Sequence, residues 1–187
     1  MDGRRLFRAL TIVAFGATYI TVLLGGNVMA SDSGLACPQW PTCQGALTAS
    51  FSGSVGIEWS HRVAALALSL IILALALVGI VYESRRPVLR NLALGALGLV
   101  VAQALLGGLV ITSDLSTSVV LAHFTLATIL FGLLLILAVL ANLRELPKRW
   151  IEWAWKASDE RDPDLHGAPA AERVPAIPGA APVPLER

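Results

Sequence analysis

Four long apolar stretches constrain this chain more than anything else in it. They run over about 6–29, 57–81, 92–112 and 119–143, and a helix needs roughly 20 residues to cross a hydrocarbon core. Lipid offers no partner to a backbone N–H or C=O, so each stretch must satisfy its own backbone as a helix. The expected fold is all-α, an integral membrane four-helix bundle. Composition agrees, since charged residues make up 14% of the chain where a soluble domain carries about 25%. Val28 and Ala30 imitate a signal-peptidase site behind the first stretch. A signal h-region is only about 7–15 residues long, so that stretch is read as a retained membrane helix. No internal repeat is visible.

The cations set the orientation. Arg4, Arg5 and Arg8 precede the first stretch, Arg85, Arg86 and Arg90 lie between the second and third, and Arg144, Lys148 and Arg149 follow the fourth. The connections over 30–56 and 113–118 hold no Lys or Arg. Positive loops stay inside, so both termini are expected in the cytoplasm of a cell-membrane protein, and the two connections without Lys or Arg outside. The membrane domain is expected over 1–146 and a tail over 147–187. In that tail Trp150, Trp153 and Trp155 suit the headgroup level. The Pro, Ala, Gly and charge that dominate from Ser158 onward predict disorder. A net charge of +1 without a basic face argues against a nucleic-acid partner and leaves membrane lipid as the surroundings.

Cys37 and Cys43 share the long connection that holds no Lys or Arg. So close a pair is a disulfide, a metal pair or a redox couple. An outer, oxidising position favours the disulfide, and Pro38 and Pro41 restrict the loop between. A structural staple is the simpler reading, and a working thiol couple stays open beside it.

His61 and His123 each lie about one turn into helices two and four, which both run inward from the outer face. At about 1.5 Å of rise per residue their imidazoles reach nearly the same depth, as two axial ligands of one haem require. Either one alone reads more simply as a histidine bonded to a neighbouring helix. Ionisable groups inside a membrane are functional by default, and the shared depth tips the pair towards haem. His166 lies in the tail and is given no role.

Glu58 precedes His61 by three residues and shares its helix face. It is either a general base beside a bound group or a first-turn carboxylate complementing the helix dipole, the latter being simpler. Arg62, one i,i+4 step on, pairs with Glu58 or with a haem propionate. Gln103 reads as an interhelical hydrogen-bonder, and Gly107-Gly108 and Gly25-Gly26 as small residues that let helices approach.

Together these pieces resemble a known family. Ser33-Gly-Leu-Ala-Cys-Pro-Gln-Trp-Pro-Thr-Cys-Gln-Gly45 is similar to the first outer loop of the haem A synthase family, and Ile57-Glu-Trp-Ser-His-Arg62 to its Glu-x-x-His-Arg. Gln103-x-x-x-Gly-Gly-x-Val110 and Ala122-His-Phe124 follow in the same order. The likeness covers about residues 8–143 and excludes the tail. It implies a membrane oxidoreductase that converts haem O, its substrate, to haem A by oxidising the C8 methyl to a formyl group, for cytochrome oxidase haem supply. It implies His61 and His123 as axial ligands of haem iron, Glu58 as catalytic, Arg62 as a haem contact and a Cys37–Cys43 disulfide. Most members have two such halves, one for substrate and one for a haem B cofactor. A single half implies a homo-oligomer, and haem O synthase is a further candidate partner. Met29 stands where many members have Arg. Two other readings compete: a non-enzymatic b-type haem protein that passes electrons, and a quinone-linked thiol oxidoreductase. The second would want another Cys pair.

Overall fold

The computed structural model describes residues 2–143. Helix α1 spans Gly3–Ala30, α2 Gly53–Tyr82, α3 Pro87–Thr112 and α4 Thr117–Asn142. All four are long and apolar enough to cross a membrane, and the chain is a multi-pass membrane protein with an all-helical core. Each helix matches one apolar stretch and begins before it, because helical hydrogen bonding does not stop where the hydrocarbon does. Helix α1 is capped by Asp2, whose carboxylate accepts from the Arg4 N–H at 3.3 Å. Helix α3 opens on Pro87, where a missing N–H costs nothing. The tail over 147–187, with its three tryptophans and His166, lies outside the described residues.

Each helix packs against the next in chain order, and α4 closes back onto α1. Short connections over 83–86 and 113–116 force antiparallel neighbours, so α2 and α4 are diagonal and run the same way. The second of these turns reverses the chain through Asp114 and Leu115, both left-handed with φ of 50° and 60°, a region most side chains avoid. The connection over 31–52 is far longer, and it lies at the same end of the bundle as the turn over 113–116. That end is called the loop end below.

The bundle is solid in one half and hollow in the other. Away from the loop end, Phe7 and Ala14 of α1, Ile72 and Leu75 of α2, Ala93 and Ala96 of α3, and Leu134 and Leu137 of α4 are fully buried and form one cluster. Lipid tails are as apolar as these side chains, so their cohesion is close packing rather than escape from water. Ile20, Leu70, Leu105 and Ile136 point outward and are exposed to the surroundings. The polar groups of α1 are satisfied locally: the Thr18 hydroxyl donates to the Ala14 carbonyl at 2.7 Å and that of Thr21 to Ala17 at 2.8 Å. The Asn142 amide reaches across from α4 to the Thr11 hydroxyl at 3.3 Å.

Gly79 marks a close approach of three helices in the solid half. A Cβ there would meet Phe7 Cε2 at 3.1 Å and the Ala93 Cβ at 3.6 Å, on two different helices. Gly79→Val is expected to cost about 1–3 kcal/mol as an overpacked core does, read as a lowered unfolding midpoint in detergent. Gly16→Ala, which meets nothing within 4 Å, should leave the midpoint in place. Equal midpoints for both variants would contradict this packing.

Candidate functional site

The loop over 31–52 folds across the hollow half. Cys37 and Cys43 are fully buried and are joined to each other, with their Cα atoms 4.6 Å apart. Cys43 and Ala46 exchange two backbone hydrogen bonds of 2.9 and 3.0 Å, which closes the small ring.

Two side chains one helical turn apart on α2 fasten this loop. Glu58 Oε2 accepts from the Cys37 N–H at 2.7 Å, while Oε1 takes the Arg62 guanidinium. Arg62 Nη1 donates to the carbonyls of Gln39 at 2.7 Å and Thr42 at 2.9 Å, and Nη2 to that of Cys37 at 2.5 Å. The planar fork of an arginine suits such a row of acceptors. Glu58 is only 2% exposed. Because α2 starts at Gly53, Glu58 sits in the second turn and its carboxylate points at the loop, which displaces the helix-dipole reading. Arg62, left by the sequence between Glu58 and a propionate, spends its donors on Glu58 and three loop carbonyls. The sequence carried no sign of those carbonyls, since backbone acceptors in an irregular loop have no residue signature.

His61 and His123 lie deeper than one turn. At eight and six residues past their helix starts they are roughly 12 and 9 Å along parallel axes, so the near-equal depth holds. Each ring rests on a glycine of a neighbouring helix. A Cβ on Gly25 of α1 would meet His61 Cε1 at 3.0 Å, and one on Gly107 of α3 would meet His123 Cε1 at 3.3 Å. A Cβ on Gly108 would meet the loop's Trp40 at 3.0 Å. These glycines therefore seat rings rather than bring helix backbones together, and the place of each pair beside a histidine in depth was the available clue.

Hydrogen bonds fix the proton on each imidazole. His61 Nδ1 lies 3.1 Å from the Thr21 carbonyl. A carbonyl only accepts, so Nδ1 carries the hydrogen and Nε2 offers a lone pair. Gly25, one turn beyond Thr21, leaves that carbonyl open to the ring. Gln103 Nε2 lies 3.3 Å from His123 Nε2 and 3.0 Å from the His123 carbonyl. An amide NH₂ only donates, so His123 Nε2 likewise presents a lone pair. Gln103 is thus the interhelical hydrogen-bonder expected of it, and its partner is the second histidine.

Both histidines line one cavity of about 670 Å³, with Glu58, Arg62 and Gln103 also on its wall. That size falls within the roughly 300–1,000 Å³ of small-molecule and cofactor sites. Val22, Leu66, Val100 and Ala127 supply apolar wall. Among the described residues no three His, Cys, Asp or Glu side chains converge on one point to cage a metal ion. Two histidines across a cavity suit a metal whose other positions are filled by a macrocycle.

The network makes a prediction about the loop. Arg62→Ala removes the donor to three carbonyls and strands Glu58 as a buried charge, a loss of about 3–5 kcal/mol where such pairs have been broken. Reduction of the Cys37–Cys43 bond by dithiothreitol, followed by thiol labelling, should become at least about tenfold faster. An unchanged rate would mean that the loop is held by other contacts.

Residues 8–163 match the COX15-CtaA family, described as cytochrome oxidase assembly protein. The heme A synthase of Geobacillus kaustophilus is 33% identical over 141 residues, covering 75% of this chain and 44% of that protein. The heme A synthase of Bacillus pumilus is 31% identical over 137 residues, covering 71% of this chain and 44% of that protein. The protoheme IX farnesyltransferase of Haloarcula marismortui is 32% identical over 132 residues, covering 71% of this chain and 28% of that protein. The chain spans less than half the length of these relatives.

Proposed function

The chain belongs to the COX15-CtaA family of cytochrome oxidase assembly proteins, and we propose that it is a haem A synthase-type oxidoreductase. Its substrate is haem O, whose C8 methyl is oxidised to the formyl of haem A. The observation that carries this reading is the pair of imidazoles on parallel, diagonal helices, both lining one apolar cavity in the tautomer that offers Nε2. The Thr21 carbonyl on His61 Nδ1 is the outer-shell partner that metal-bound histidines ordinarily have. The heme A synthase relatives support the same direction.

When bound, haem iron supplies the redox chemistry. The chain's residues divide the rest. His61 and His123 would hold the iron. Glu58 is the one carboxylate on the cavity wall and takes up protons released as the C–H bond is oxidised. Arg62 keeps Glu58 in place rather than reaching a propionate. The joined Cys37–Cys43 loop roofs the site and limits water.

Haem B enters as a cofactor in this reading, held in a second copy of the chain, so the working form is a homo-oligomer. The likeness to part of a protoheme IX farnesyltransferase supports direct delivery of substrate by haem O synthase. The cation pattern supports an extracytoplasmic Cys loop and histidine pair, with a membrane domain over 1–146 and a cytoplasmic tail over 147–187.

The test is haem analysis of protein made beside a source of haem O, with acid-extracted haems separated by chromatography. Haem A or its hydroxylated precursor should appear with the unmodified chain and vanish in the His61→Ala, His123→Ala double variant. Haem B alone, with haem O intact, would favour the electron-passing b-type protein instead.

Glu58 is tested apart from its structural bonds. Glu58→Gln keeps an oxygen for the Cys37 N–H but cannot take a proton. Product should fall about 10²–10⁴-fold, the range of general acid–base catalysis, with haem content unchanged. Full activity in this variant would confine Glu58 to holding the loop.

A further inference from the structure

The two histidines are not equivalent, and the difference lies in Gln103. His61 has its Nδ1–H on the Thr21 carbonyl, and no protein group covers its Nε2 among the bonds described. His123 is the reverse. Its Nε2 lone pair is covered by the Gln103 amide at 3.3 Å, while its Nδ1 is buried without a hydrogen-bond partner. The Gln103 Oε1 is buried without one as well. Of the three such buried side-chain atoms among the described residues, two therefore fall on this touching pair, and the third, on Glu83, belongs to the opposite end. The two orphans are complementary: a ring N–H that donates and an amide oxygen that accepts.

Resting on the haem reading above, we infer that Gln103 is a positioning residue that makes His123 the exchangeable ligand and leaves His61 the permanent one. Two effects follow from its amide. By donating to Nε2 it holds His123 in the Nδ1–H tautomer, so Nε2 keeps the lone pair that a metal would take. By occupying that same lone pair it competes with the metal, so His123 gives up a hydrogen bond to ligate and regains one on release. His61 carries no such competitor, and its backbone partner strengthens it as a ligand. Gln103 can stay close throughout, because its second bond, to the His123 carbonyl at 3.0 Å, does not involve the ring. The wall of the cavity thus contains one fixed and one releasable position.

The experiment uses the full chain loaded with haem B as probe, and reads the rate at which cyanide displaces a histidine. Gln103→Leu removes the competitor and should slow cyanide entry about two- to tenfold, the weight of one neutral hydrogen bond. The slowing should disappear in His123→Ala, where no bond to His123 has to break. A slowing that survives in His123→Ala reports a general change in the bundle and overturns the inference, as does an unchanged rate. Histidine ¹⁵N spectra of ligand-free protein give a second readout that needs no variant. His123 should carry its hydrogen on Nδ1, and a hydrogen on Nε2 overturns the assignment. A chain with that tautomer that takes up no haem would instead sink the proposed function, and the ligand roles with it.

Discussion

A membrane interior leaves a polar group no solvent to turn to, and this constraint organises the loop end of the bundle. Glu58, buried, and Arg62, partly buried, sit near that end, and each is satisfied by the other and by the backbone of the loop over 31–52. An irregular loop brings carbonyls that no helix or strand has paired. Arg62 supplies donors to three of them, and Glu58 takes the Cys37 N–H and balances the charge. Loop and ion pair are thus mutually required: the loop encloses the charges, and the charges order the loop. Hydrophobic replacement of a buried ion pair is often neutral. Here it would leave the loop carbonyls unpaired, which is where the cost would fall.

The division into a solid and a hollow half follows from the connections. At the solid end the turn over 83–86 ties α2 to α3 closely, and the helices meet through Ala93, Ala96 and Gly79. At the loop end α1 and α2 are joined by a segment long enough to fold back across the bundle. The helices need not converge there, because the loop covers what they leave open. Trp40 lies on Gly108 and Leu115 on Gly34, so the roof touches both α3 and the α3–α4 turn. The cavity is therefore a consequence of architecture, with the same four helices packed at one end and held apart at the other.

How much was legible in the sequence depends on the kind of interaction. The four helices were readable because lipid permits little else over so long an apolar run, and the near-equal depth of His61 and His123 because helical rise is fixed. The histidines sit deeper than expected only because α2 and α4 begin before their apolar stretches do. What could not be read was direction. A glycine pair looks the same whether it admits a helix or an imidazole, and only the placement of Gly25 under His61 and Gly107 under His123 separates the two. The Thr21 carbonyl was invisible for a stronger reason, since every residue has one and nothing in a side chain says which is exposed. Glu58 was misjudged by helix boundary: a start at Gly53 moves it out of the first turn, and the dipole argument goes with it.

Glu58 holds the loop and is proposed to move protons as well. It accepts from a guanidinium and an N–H, and each oxygen keeps a second lone pair. The N–H of Cys37 belongs to the loop, whereas Arg62 rides on the same helix one turn away. The loop contact is the one that movement can release, because Glu58 and Arg62 share a rigid helix and cannot separate far.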